Sequence, residues 1–289
     1  MSDTTSTSAV AAGTIDLGGD LTVNRLGFGA MRITGPGVWG EPPDRHQAKA
    51  VLRRAVDLGV NFIDTADSYG PEISETLIAE ALTPYPDDLV IGTKGGLERT
   101  GPGLWPHNGR PEHLKQACEG SLRRLGLEQI ALYQLHRPDP NVPFEESVGA
   151  LVELKEQGKI RHIGLSNVNE EQLRRAQQLT PVVSIQNRYN MDDRGSESLI
   201  DLCEQEQVTF LPWAPIEGAD DVPVVRGIAH RHGAAPQQVV LAWMLARSPV
   251  MLVIPGTGST EHLEENTAAA GIELTGEEVA TLTRGAPHA

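Results

Sequence analysis

Four side chains just beyond consecutive apolar runs carry groups suited to moving a proton beside a carbonyl: Asp64, Tyr69, Lys94 and His136. A carbonyl that accepts hydride develops negative charge on oxygen, so the reaction needs a proton donor and dipoles that stabilise that oxygen. The Tyr69 phenol, in the loop D-T-A-D-S-Y-G, can give the proton, but a free phenol near pKa ~10 is a slow donor at neutral pH. An ammonium at Lys94 is expected to lower that value by favouring phenolate, and Asp64 to keep the ammonium charged and oriented. His136 can hydrogen-bond the carbonyl oxygen as a neutral imidazole or, at acid pH, as a charged one. Each residue alone has a plainer reading: a turn cap for Asp64, a solvated charge for Lys94, a packed rim aromatic for Tyr69, a partner of buried backbone for His136. Their complementary roles at the same end of three successive runs favour the chemical reading.

The elements that must bring these groups together are short apolar runs alternating with longer stretches of helical period, the pattern of repeated βα units. Strands are expected at Arg25 to Gly29, Asn61 to Asp64, Leu89 to Thr93, Ile130 to His136, Ile160 to Leu165, Val182 to Ile185, Val208 to Leu211 and Val250 to Ile254. Helices are expected at about 46–58, 73–82, 111–125, 145–157, 169–179, 196–206, 236–247 and 260–269. In the third, Pro111 suits the first turn, Leu114, Ala117, Cys118, Ser121, Leu122 and Leu125 share one face, and Gly126 can end it. Gly18-Gly19-Asp20 between two short segments from Thr14 to Asn24 predicts a β-hairpin. The fold class is therefore α/β: a (β/α)8 TIM barrel with an N-terminal β-hairpin. No G-x-G-x-x-G follows the first strand, which argues against a Rossmann domain. A barrel places its chemistry at the C-terminal strand ends. That rule adds Ser166 and Asn167, Gln186, Trp213, and Gly256 with Thr257 to the polar groups around one mouth.

Bulk properties narrow the partners. A chain of 289 residues fits one barrel domain, expected over 14–289, with residues 1–13 read as a disordered Ser/Thr/Ala-rich tail. The formal charge of −15 opposes binding to nucleic acid or anionic lipid. Neither a signal-peptide pattern nor an apolar run long enough to span a bilayer is present, so the expectation is a cytoplasmic protein, monomeric or weakly homo-oligomeric. Cys118 and Cys203 stand alone in helical stretches, so neither a disulfide framework nor a metal site is expected.

With these residues in place, the sequence resembles an aldo-keto reductase from about Thr14 to about Thr283. The resemblance is carried by G-V-N-F-I-D-T-A-D-S-Y-G at 59–70, I-G-T-K at 91–94, L-Y-Q-L-H at 132–136, G-K-I-R-H-I-G-L-S-N at 158–167 and H-L-E-E-N at 262–266. It implies a catalytic tetrad at Asp64, Tyr69, Lys94 and His136 and a nicotinamide cofactor extended over the barrel mouth. Ser166, Asn167 and Gln186 then match the positions that hold the carboxamide, and Trp213 the aromatic stacked on the nicotinamide. Met31, Asp64, Ala214, Ile216 and Gly218 join the implied cofactor set, as do Gly256, Thr257, Ser259, His262, Glu265 and Asn266 in the last loop and helix. Gly256 and His262 stand where many members carry Lys and Arg for the 2′-phosphate, which weakens the NADP signal. Neutral donors at Thr257, Ser259 and the helix start keep NADP(H) ahead of NAD(H). The segment G-P-G-V-W-G-E-P-P-D-R at 35–45 resembles a bacterial subgroup that includes pyridoxal reductases, implying a small aromatic aldehyde. Trp39, Trp105 and His107 are expected to wall the substrate pocket, with rim packing as the alternative.

Two other functions compete with reduction of a carbonyl by hydride transfer. The resemblance also covers a nicotinamide-binding sensor subunit with little turnover. Lysine at a barrel strand end also serves Schiff-base aldolases, although Asp64 would keep Lys94 charged and poorly nucleophilic.

Overall fold

Successive residues of a strand face opposite sides, and in these apolar runs both sides are buried, one against helices and one against the other strands. The computed structural model describes residues 8–285. Two strands, β1 (Thr14–Leu17) and β2 (Leu21–Asn24), form the expected hairpin, with Leu17 opposite Leu21. Gly18 and Gly19 turn the chain at φ +69° and +83°, a left-handed conformation that glycine adopts without a Cβ penalty. Parallel pairing then runs in order through β3 (Phe28–Gly29), β4 (Phe62–Asp64), β5 (Val90–Gly95), β6 (Ile130–Leu135), β7 (Ile160–Ser166), β8 (Ser184–Arg188) and β9 (Thr209–Trp213). The eighth expected run, 250–254, closes the cylinder by single parallel bridges, Met251 to Phe210 and Val253 to Leu26. Backbone bonds of 2.9 Å from Leu252 N to Phe210 O and from Val253 N to Arg25 O join the two edges.

Helices cover the outside: α1 (Arg45–Asp57), α2 (Ile73–Leu82), α3 (Pro111–Leu125), α4 (Phe144–Glu156), α5 (Glu170–Gln177), α6 (Glu197–Glu206), α7 (Pro223–His232), α8 (Pro236–Arg247), α9 (Thr260–Ala268) and α10 (Gly276–Arg284). In α3 the buried residues are Leu114, Cys118, Gly120, Ser121 and Leu125, and Gly126 caps the end at φ +65°. Eight of these match the expected helices; α7 and α10 were not expected. Pro223 opens α7 and Gly233 closes it, while a Thr275–Glu278 capping box starts α10.

The expected tail is corrected in part. Residues 1–7 lie outside the described residues, but Ala9–Ala12 form a 3₁₀ turn in which Ala9 is fully buried and its N–H donates to Leu58 O at 2.8 Å. Small apolar side chains tuck under the end of α1, which a polar tail could not do. Strand ends also run further than expected, so that Lys94, Ser166, Gln186 and Trp213 lie inside their strands rather than after them. Inside the cylinder, Leu17 and Val23 of the hairpin pack with Phe62, Val90, Leu132, Leu211, Leu252 and Ile254. Both cysteines are free and buried, and burial pushes each thiol up to about 12. No helix among the described residues is long and apolar enough to cross a membrane.

Candidate active site

The two-residue period of the strands builds the floor of the site. Phe62 faces inward, and so does Asp64; Leu132 and Gln134 repeat the pattern on β6, and Val90 and Lys94 on β5. Pairing puts Lys94 beside Gln134, and Ser166 beside Gln186. Glycine makes the layer possible. A Cβ on Gly164 would stand 2.2 Å from Ser184 Oγ and 2.9 Å from Gln134 Cγ, so the inward polar side chains occupy the space it leaves.

Within this layer Lys94 Nζ donates to Asp64 Oδ2 at 2.7 Å and to Thr65 O at 2.9 Å, and lies 3.4 Å from Tyr69 Oη. Lys94 is fully buried. The other carboxylate oxygen, Asp64 Oδ1, accepts from Gln186 Nε2 at 2.8 Å and Gln134 Nε2 at 3.2 Å. Thus the buried ion pair has hydrogen bonds on both sides, the condition under which such a pair persists. The His136 ring stands edge-on to Tyr69, centroids 5.8 Å apart, and its Nδ1 is 3.3 Å from Ser68 Oγ. All four expected catalytic residues therefore converge.

Burial alone would push the Lys94 ammonium down, but the facing Asp64 carboxylate and the Tyr69 hydroxyl outweigh it and hold it above the ordinary lysine value. The Tyr69 phenol is corrected relative to expectation. Burial pushes it up, Lys94 pulls it down, Asp64 pushes it up again, and the net direction is upward. Burial, reinforced by the charges of Lys94 and Arg137, holds His136 well below the usual imidazole value, so it is neutral.

Above this floor opens a cavity of about 570 Å³. Of the expected cofactor residues, Met31, Asp64, Ser166, Asn167, Gln186, Trp213, Ala214, Ile216 and Gly256 are on its wall. Asn167 sits at φ +59°, which asparagine tolerates better than most residues. Its amide donates to His136 O and Ser166 Oγ, while its Oδ1 accepts from Trp213 Nε1 at 3.2 Å and Arg137 at 3.1 Å. Gly218 is not on that wall; it turns at φ +76°, and a Cβ there would strike the Asp192 carboxylate. Thr257, Ser259, His262, Glu265 and Asn266 continue along the loop and α9 beyond the wall. Trp105 and His107 line the cavity, but Trp39 does not. Its ring lies 5.5 Å from the Arg99 guanidinium carbon, which also lies 3.5 Å from the Trp105 ring centroid. Trp39 thus backs the wall through Arg99.

Two cations on the wall escaped sequence reasoning. Arg32 and Arg137 directly follow Met31 and His136, three residues past β3 and two past β6, so each lies one residue beyond a position already singled out. Neither has a carboxylate partner among the described residues, in a chain of formal charge −15. Arg99 and Ser68 were also missed, and nothing in their spacing marks them. No three His, Cys, Asp or Glu groups among the described residues come together to hold a metal ion.

Comparison with known proteins agrees with this geometry. The model of the Aldo/keto reductase family matches residues 25–219 and 217–285. The chain is 49% identical over 288 residues to an uncharacterised oxidoreductase of Schizosaccharomyces pombe, covering 98% of this chain and 94% of that one. It is 43% identical over 272 residues to the pyridoxine 4-dehydrogenase of Escherichia coli, covering 91% and 95%. Among solved structures, an aldo/keto reductase from Klebsiella pneumoniae in complex with NADP and acetate superposes with a TM-score of 0.81 at 30% identity, covering 95% of each chain. The floor of ionisable groups, the parallel cylinder that carries it and these likenesses over nearly the full length agree, and the chain belongs to the aldo/keto reductase family.

Proposed function

We propose that the chain reduces an aldehyde or ketone to the alcohol with NADP(H), that Tyr69 supplies the proton, and that small aromatic aldehydes such as pyridoxal are substrates. The observation that carries this reading is Lys94 Nζ held between the Asp64 carboxylate at 2.7 Å and the Tyr69 hydroxyl at 3.4 Å, at the floor of an open cavity. Similarity to a pyridoxine 4-dehydrogenase supports the substrate class, and the NADP complex of the Klebsiella protein supports the cofactor.

The wall residues fit a nicotinamide dinucleotide. Amides of Asn167 and Gln186 and the Ser166 hydroxyl lie beside Tyr69 and His136, the Trp213 indole stands on the same wall, and Arg32, without a carboxylate partner among the described residues, shares that wall with Gly256. A reduced nicotinamide held there by Asn167, Gln186, Ser166 and Trp213 would supply hydride to the carbonyl carbon. Tyr69 holds its proton at neutral pH, as a phenol at its ordinary pKa near ~10 already does, and burial strengthens that hold. As it gives that proton to the carbonyl oxygen, the Lys94 charge stabilises the phenolate left behind. His136 is neutral, and in the tautomer whose Nδ1 accepts from the Ser68 hydroxyl the ring proton sits on Nε2, where it polarises the oxygen. An aldolase role for Lys94 needs a free amine, and its raised pKa opposes one.

The test follows loss of reduced-cofactor absorbance, with NADPH and separately NADH, over pyridoxal, aromatic and aliphatic aldehydes and small ketones. NADPH-dependent turnover is expected, with NADH slower, and Tyr69→Phe is expected to lose about 10²–10⁴ in kcat while still binding NADPH. Full activity in that variant refutes the proton role; cofactor binding with no reduction of any carbonyl favours a sensor.

A further inference from the structure

The loop that carries Trp105 is paired through its backbone at the base, Glu98 N donating to Pro106 O at 2.9 Å and Asn108 N to Gly96 O at 3.0 Å, whereas its tip is mostly exposed. Pro102, Gly103, Leu104, Pro106 and His107 are exposed, Leu104 at 56%, so the loop buries no apolar anchor between Gly101 and Asn108. Arg99 ties that tip to its neighbours. Its Nε donates to Leu104 O at 3.0 Å, one Nη to Ser68 O at 3.0 Å and the other to Gly37 O at 3.1 Å. Those three carbonyls belong to three different strand-end loops, after β5, β4 and β3. The guanidinium carbon also lies 3.5 Å from the Trp105 ring centroid, and the Trp105 ring in turn meets Tyr69 edge-on at 6.4 Å.

We infer that Arg99 is a specificity-determining positioning residue, which fixes Trp105 as the wall against which a flat aromatic aldehyde packs beside Tyr69. The inference rests on the carbonyl-reductase reading and deepens it. A guanidinium suits the task because its planar fork donates in several directions while its face stacks on indole; an ammonium cannot do both. Arg99 does not line the Tyr69 cavity, so it acts through Trp105.

The experiment compares the unaltered chain with Arg99→Ala, Arg99→Lys, Trp105→Leu and the Arg99→Ala/Trp105→Leu double variant. Steady-state kinetics use an aromatic and a small aliphatic aldehyde, and NADPH affinity is read by quenching of protein fluorescence. Arg99→Ala is expected to raise KM for the aromatic aldehyde about tenfold, with a much smaller change in kcat, in aliphatic KM and in NADPH affinity. Arg99→Lys is expected to recover little of this, and the double variant to match Trp105→Leu alone, because both changes remove the same wall. Equal KM losses for both aldehydes, a parallel loss of NADPH affinity, full rescue by lysine, or additive losses in the double variant would each overturn the inference. Those outcomes leave reduction by the unaltered chain intact; absence of any carbonyl reduction by that chain overturns both readings.

Discussion

Replacing Lys94 by methionine keeps the length of the side chain and removes its charge from a site with no exposure. Coulomb attraction across 2.7 Å at an effective dielectric near 20 is about 6 kcal/mol, before the cost of taking both ions out of water. Breaking such a pair from one side costs about 3–5 kcal/mol, because the Asp64 carboxylate stays buried with only Gln134 and Gln186 donating to it. At roughly 2–4 °C per kcal/mol for a domain of this size, Tm is expected to fall by about 10 °C. Turnover is expected to fall by about 10²–10⁴, since the phenolate loses its neighbouring cation. The informative comparison is Asp64→Asn/Lys94→Met, which removes both charges. Most of the lost stability returns in that double variant, while turnover remains low. Thermal and urea unfolding, read beside NADPH-coupled aldehyde reduction, separate the two effects. A double variant no more stable than Lys94→Met, or a Lys94→Met enzyme that keeps its melting temperature, would refute the picture of a charged buried pair.

Two further outcomes follow from the ionisable groups. With His136 held well below its usual value and the Tyr69 phenol raised, neither of these two groups is expected to titrate between about pH 6 and 9. Reduction of benzaldehyde, which does not itself titrate, should show a flat kcat/KM there and decline only as pH rises through the phenol's pKa above 10; an inflection near pH 6.5 that vanishes with His136→Asn would contradict this. Asp67 is held well above the ordinary carboxylate value, chiefly by burial and then by Glu75, and its Oδ1 has no hydrogen-bond partner among the described residues. The unfolded chain loses that proton above about pH 4 while the folded one retains it, so Asp67 costs stability increasingly as pH rises through that range. Asp67→Asn should therefore raise Tm at pH 7 by about 2–4 °C and give no gain at pH 3–4, as read by thermal unfolding. A gain independent of pH would refute the assignment.

The parts of this molecule legible from residue order are those in which local pattern and global fold agree. The period of two in β4, β5 and β6 and the position of Asp64, Lys94 and His136 at run ends are enough to bring four groups to one mouth. The α7 and α10 helices carry readable signals, Pro223 with Gly233 and the Thr275–Glu278 spacing, but each is one helix more than a strict alternation of strand and helix allows, α7 between β9 and α8 and α10 after α9. The buried turn at Ala9–Ala12 was hidden because its stability comes from the end of α1, distant in sequence. Net pKa directions were illegible for a related reason: Lys94 pulls the Tyr69 phenol down as expected, but the depth of burial that outweighs it belongs to the whole barrel. Arg99, Trp39 and Trp105 show the limit most clearly. Their stack joins loops 60 residues apart, and nothing in either loop announces the other.

The β1–β2 hairpin lies across the bottom of the cylinder, with Leu17 and Val23 in its lumen, Asp20 paired to Arg161 and His162 at the foot of β7, and Asn24 bonded to Asn61 at the foot of β4. The vessel is stoppered at one end and open at the other. Durability and reactivity are therefore housed on opposite decks of the same barrel, and heat tolerance can be tuned at the stopper while the chemistry overhead goes undisturbed.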